Sequence, residues 1–144
     1  MTRIDFYVLA DDSAETRLQL VCKLTEKACG IAENVFVYSS DVTLLRQLDE
    51  LLWNFRPMSF VAHRLLPESH ITSSEDNDPA LLSSGGPGVD RTLLINLDNS
   101  VPTFFSRFAR TLEIVNKDKA IQAHGRERYR FYQQRGYPLN HYNI

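Results

Sequence analysis

Asp11, Asp12 and Asp98 stand where strands are expected to end, so three carboxylates could converge on the sheet edge where α/β folds place their sites. Such a cluster would hold a divalent cation, since hard cations take oxygen ligands, and would define a receiver-like or metal-dependent phosphate-handling domain. The lysine wanted beyond a last strand is Lys117 at best, and helix capping explains Asp11 and Asp12 more simply. GGPG at 85–88 could offer backbone N–H groups to an anion, but it lacks the Lys-Ser/Thr ending of a P-loop and the GxGxxG spacing, leaving a plain loop. His63, His70, His124 and His141 form no HxH or HxxxH pair, and GxSxG is absent. No catalytic residue, metal ligand set or cofactor motif is assigned.

Binding chemistry is better represented. On a helix expected at about 119–135, Lys119, Gln122, Arg126 and Tyr129 follow one another at spacings of three, four and three, so they share a face, with Arg130 one turn beyond Arg126. Like charges at that spacing cost a few tenths of a kcal/mol unless something anionic sits opposite. Two readings follow: a solvated helix face, or a site for an acidic peptide ending in an aromatic residue, with the guanidinium gripping the terminal carboxylate beside the tyrosine ring. The same helix offers Arg126, Arg128 and Arg130, with Tyr129 and Tyr132 as stacking platforms, for single-stranded DNA. Trp53, followed by Phe55, Met58 and Phe60 around Pro57, is either core or a protein-contact surface.

The elements that must position these residues alternate. A strand at 3–9 leads through Asp11, Asp12 and Ser13, which offer N-cap oxygens, into a helix at 14–29 closed by Gly30. A strand at 34–38 leads through Ser40 or Asp41 into a helix with the stripe Leu44, Leu45, Leu48, Leu51 and Leu52. A brief strand is expected at 60–62, then a polar, glycine-rich excursion at 67–90 in which 80–82 pairs as an edge strand. Strands at 92–97 and 110–115 flank a turn at 104–108, and the last helix follows. A βαβα opening favours parallel strands, so the expectation is one three-layer, Rossmann-like α/β domain over 1–144, with a mostly parallel, mixed sheet and a flexible loop at about 67–90.

A chain of 144 residues with 43% hydrophobic and 24% charged residues can bury a core without a disulfide or a metal. Cys22 and Cys29 lie on one helix face two turns apart, roughly 10 Å and too far to bridge, which makes them buried thiols. Sixteen basic against eighteen acidic residues give a net charge of -2, which excludes wholesale nucleic-acid binding and makes any basic site local. With no run of 18 apolar residues and no signal-type opening, the expected location is the cytoplasm, without membrane contact.

Two blocks carry a family resemblance. QLDELLW from Gln47 to Trp53 with SFVAH from Ser59 to His63, and GRERYRFY from Gly125 to Tyr132 with Gly136, Tyr137, Leu139 and Asn140, resemble the LDE-x-LW…SF-x-PH and RERY-x-x-Y-x-x-x-G stretches of the chi subunit of bacterial DNA polymerase III. The resemblance spans nearly the whole chain apart from the middle loop. It implies a non-catalytic accessory subunit that pairs with psi in the clamp loader and binds the acidic C-terminal tail of single-stranded DNA-binding protein during DNA replication, meeting DNA only indirectly. Carried over by position, Trp53 and Phe60 belong to the psi contact, and Arg126 and Tyr129 to the tail pocket, with Arg130 beside them. A lysine that the family places one turn before the arginine is Gln122 here, which leaves Lys119 as the replacement.

Overall fold

The computed structural model describes residues 1–55 and 61–144. Seven strands form one sheet: β1 (Arg3–Val8), β2 (Val35–Tyr38), β3 (His63–Leu65), β4 (Ala80–Ser83), β5 (Leu93–Asn96), β6 (Arg110–Val115) and β7 (Leu139–Asn143). Their spatial order is β3-β4-β2-β5-β6-β1-β7, and every described ladder is parallel, so the antiparallel admixture expected of a mixed sheet does not occur among them. Among the described residues three α-helices complete the fold, α1 (Ala14–Gly30), α2 (Val42–Asn54) and α3 (Lys119–Gln134), with one 3-10 turn at Phe105–Arg107. Ser13, Asp41 and Asp118 cap them, each accepting an amide hydrogen bond from three residues on.

Strand order decides which face each connection covers. A right-handed crossover that moves one way along a parallel sheet lands on one face, and one that moves the other way lands on the opposite face. The moves β1 to β2 and β2 to β3 run in one direction, and α1 and α2 share a core with Val35, Val37, Leu82, Leu93, Ile95, Leu112 and Ile114. The moves β5 to β6 and β6 to β7 run in the other direction. Phe105, Phe108 and α3 residues Tyr129 and Tyr132 pack on the alternate strand residues Ile4, Phe6, Phe36, Leu81, Leu94 and Val115. The result is three layers, α/β/α.

Four sequence expectations shift. The brief strand after α2 lies at His63–Leu65, later than 60–62, and Phe60 is outside the described residues. Residues 80–82 do not form an edge: β4 lies between β3 and β2 and is buried along its length, because ALLS has apolar contacts on both faces. Gly30 does not close α1. The helix runs through it, Ile31 caps, and Ala32 takes the left-handed conformation (φ 62°), with Glu33 and Ala32 donating back to the Ala28 and Cys29 carbonyls. Finally, β7 follows the last helix, where the sequence reading expects no further strand, for reasons taken up below. Cys22 is buried and Cys29 half-buried, both free, and burial pushes the Cys22 thiol up to about 12.

The excursion between β3 and β5 is tied by a polar network. Arg91 donates to the carbonyls of Asp76, Asp78 and Pro79, and Arg64 donates to the carboxylates of Asp76 (2.8 Å) and Asp78 (3.1 Å). Gly85 and Gly88 are required by close approach: a Cβ on either would sit 2.0 Å from the carbonyl oxygen of His70 or Thr72. That packing accounts for GGPG without an anion. Asp76 lies 2.9 Å from His70 Nε2 and accepts from the Ser73 amide at 2.8 Å. The His70 contact first, then the Ser73 amide and Arg64, hold its carboxyl down to about 2.

A carboxyl depressed in the folded state stabilises above its unfolded pKa, and that contribution is lost as pH falls through the folded value. The stability advantage of the parent over Asp76→Asn is therefore expected to be complete at neutral pH and to vanish between about pH 4 and about pH 2. Urea unfolding at stepped pH checks this, and a constant difference across that window would reject it.

Candidate functional site

Between α3 and the β7 side of the sheet lies a cleft of about 370 Å³. Its floor is apolar, from Phe6 and Val8 of β1 and Val115 of β6. One wall is α3, through Gln122, Gly125, Arg126 and Tyr129. His141 of β7 stands on the other side, and Asn116 and Lys117 close the end beyond β6. The helix lies close because Gly125 has no side chain, since a Cβ there would meet Val115 Cγ1 at 2.7 Å. Tyr129 is held by an edge-on contact with Phe6, centroids 5.1 Å apart. Lys117 is placed by its own amide, which donates to the Asp11 carbonyl at 2.8 Å.

Three groups here carry or can carry positive charge, Arg126, Lys117 and His141, and no carboxylate lines the cleft. Arg126 is exposed and has no ion pair among the described residues. An apolar floor beside uncompensated cations suits a ligand with an apolar side chain next to a carboxylate.

The structure brings Gln122, Arg126 and Tyr129 together, as their spacing on α3 requires. Lys119 and Arg130 are exposed on the same helix but do not line the cleft. Lys117, Phe6, Val8, Val115 and His141 were not read as part of this site, and Lys117 had a weak signal as the one cation between β6 and the last helix. Arg128 and Tyr132 are buried and cannot serve a nucleic-acid surface. Arg128 Nε donates to Glu113 at 2.9 Å and its Nη1 to the Asn99 carbonyl at 3.0 Å, while Tyr132 donates to Glu113 at 2.7 Å. Burial and the adjacent Glu113 carboxylate push the Tyr132 phenol far up.

Of the three aspartates, Asp11 and Asp98 are engaged separately and Asp12 is exposed. Asp98 accepts from the Ser40 amide (3.0 Å) and hydroxyl (2.6 Å), and Asp11 accepts from the Ser13 amide. Among the described residues no group of three or more His, Cys, Asp or Glu could hold a metal ion. Trp53 ends α2 on the other face of the sheet, 55% exposed, with its ring 4.7 Å from that of buried His63. His63 Nδ1 is 2.6 Å from the Val61 carbonyl. Its Nε2 is 3.1 Å from Asp49 Oδ1, though not aligned for a hydrogen bond. No described helix is long and apolar enough to cross a membrane.

Residues 1–140 match the model of the family described as DNA polymerase III chi subunit, HolC. The chain is 37% identical to the DNA polymerase III subunit chi of Pseudomonas aeruginosa over 145 residues, covering 100% of this chain and 98% of the relative. It is 30% identical to that of Escherichia coli strain K12 (97% of each) and 28% identical to that of Haemophilus influenzae (96% and 95%). A crystal structure of T4 UvsW superposes with a TM-score of 0.64 over 99% of this chain and 41% of that one, at 11% identity, a likeness of fold alone.

Proposed function

Because the chain belongs to the DNA polymerase III chi subunit family, we propose that it is a non-catalytic, cytoplasmic accessory subunit. In this reading it captures the acidic C-terminal tail of single-stranded DNA-binding protein and links it, through psi, to the clamp loader. The observation that carries this is the cleft at Arg126: cations from two elements over an apolar floor, with no lining carboxylate. The tail's terminal carboxylate meets Arg126 and its last side chain enters between Tyr129, Phe6 and Val8. The psi contact is assigned to the surface at Trp53, and to Phe60 by its position in the family motif alone. Trp53 lies on the face opposite the cleft, so both partners fit at once. DNA is reached only through the partner.

A calorimetric titration with an acidic peptide ending in a hydrophobic residue, beside the same peptide lacking its last few residues, tests the tail site. Micromolar-range binding is expected of the first only, on the order of -8 kcal/mol. Equal binding of the two would end the proposal.

The cation that stands in for the family lysine at Gln122 is Lys117, since Lys119 lies outside the cleft. Lys117→Gln is expected to weaken the peptide about two- to fivefold, the modest size of an exposed charge pair, and Lys119→Gln less. The reverse order in the same titration would return the role to Lys119.

A further inference from the structure

A second crevice, about 250 Å³, opens at the carboxyl edge of the sheet between β2 and β5 and shares no lining residue with the cleft at Arg126. It lies where adjacent strands send their connections to opposite faces: β2 leads into α2, and β5 into the segment that packs with α3. Parallel sheets bind ligands at such switch points, because the diverging connections leave room between them.

Arg17 of α1 lines this crevice and is only 6% exposed. Its Nε donates to the Ile114 carbonyl at 2.9 Å, and its two terminal nitrogens make no hydrogen bond to any described residue. They are also absent from the fully enclosed, unsatisfied polar atoms, so they remain reachable. No carboxylate among the described residues lies within ion-pairing distance of Arg17, and the nearby Glu113 is already paired with Arg128. Of the two guanidiniums, only that of Arg128 is thus in contact with the one buried carboxylate near both. Burial and then Arg128 hold the Arg17 pKa down to about 10, which leaves it charged at neutral pH, and Glu113 and Asp118 offset this only in part. A buried cation short of a counter-charge is stabilised by an anion that can reach it.

We propose that this crevice is an oxyanion site in which the Arg17 guanidinium holds a phosphate-sized group: free phosphate or the phosphoryl end of a nucleoside monophosphate. The guanidinium fork matches phosphate oxygens. Asp41 and Asp98 also line the crevice. One oxygen of each is engaged, Asp98 by Ser40 and Asp41 by the Leu44 amide, and their charge keeps the site weak.

Sodium phosphate added to the ¹⁵N-labelled full chain should shift the Ala14, Ser40 and Asp41 amides and the Arg17 Nε–H signal saturably, where sodium chloride at equal ionic strength does not. A nucleoside 5′-monophosphate acting at lower concentration identifies the phosphoryl end of a nucleotide as the ligand, and equal potency identifies free phosphate; either result supports the site. Arg17→Gln should weaken binding by at least about tenfold. Asp98→Asn keeps an oxygen for Ser40 and leaves Arg17 intact, and it should tighten binding about two- to threefold. Shifts that chloride reproduces, a folded Arg17→Gln that binds unchanged, or an Asp98→Asn that binds no better would each overturn the proposal. The Asp98 variant decides the matter even where Arg17→Gln fails to fold.

Discussion

Arg128→Ala is expected to destabilise the fold by about 3–5 kcal/mol, the penalty for leaving one member of a buried ion pair without its partner. The side chains of Arg128 and Glu113 are 3% and 0% exposed, and the carboxylate also accepts from Asn96 Nδ2 at 3.0 Å and from the Tyr132 hydroxyl. Removing the guanidinium leaves a carboxylate between α3 and the sheet with two neutral donors and no opposite charge in contact. It also frees the Asn99 carbonyl, by which Arg128 ties the loop after β5 to α3. Two elements lose their anchor at once, and a fall in Tm of about 10 °C or more is the corresponding thermal readout. Glu113→Gln in the Arg128→Ala background removes the stranded charge, so the double variant should be more stable than Arg128→Ala alone, which a double-mutant cycle quantifies. Arg128→Ala unfolding within about 1 kcal/mol of the parent would show that water reaches Glu113 and that the pair is not the tie described here.

This buried pair also marks the limit of what the sequence tells. GRERYRFY reads as a cationic, aromatic helix, and nothing local separates exposed Arg126 from buried Arg128, because a two-residue step turns a side chain to a different helix face. The separation comes from Glu113, distant in sequence, which faces α3 because its β6 neighbours Leu112 and Ile114 face the opposite layer. Arg17 hides in the same way, as a charged residue in an amphipathic helix whose burial depends on β6. The strands that were legible, β1, β2, β5 and β6, have apolar side chains on both faces. So does β4, which was legible as a strand but, set in a polar, glycine-rich stretch, not as an interior one. The sequence LNHYN of β7 has no such signature: it is a mostly exposed edge strand held by its β1 ladder and by Tyr142 against Tyr7, rings 5.1 Å apart. Without β7 in place, His141 could not be assigned to the cleft. Gln122, Arg126 and Tyr129 of the cleft were legible because helix periodicity alone puts them on one face. The floor and far wall are tertiary, and so were not.

Arg126→Ala should weaken binding of the acidic, hydrophobic-ended peptide by about 1.5–3 kcal/mol, roughly ten- to a hundredfold in Kd, as for a lost hydrogen bond between charged groups. The effect should be this large because Arg126 has no competing ion pair among the described residues, so its fork is free for the terminal carboxylate. The absence of a lining carboxylate also leaves nothing to offset the attraction. For the same reason the variant should keep its fold, with a change in unfolding free energy within about 0.5 kcal/mol, as for an ordinary surface substitution. That contrast with Arg128, two residues away, separates recognition from stability on a single helix. Raising the salt should weaken the parent more than the Arg126→Ala protein, because screening acts on a charge contact that the variant no longer makes. If calorimetry finds the variant binding as tightly as the parent, the carboxylate does not reach α3, and the cleft is not where the peptide ends.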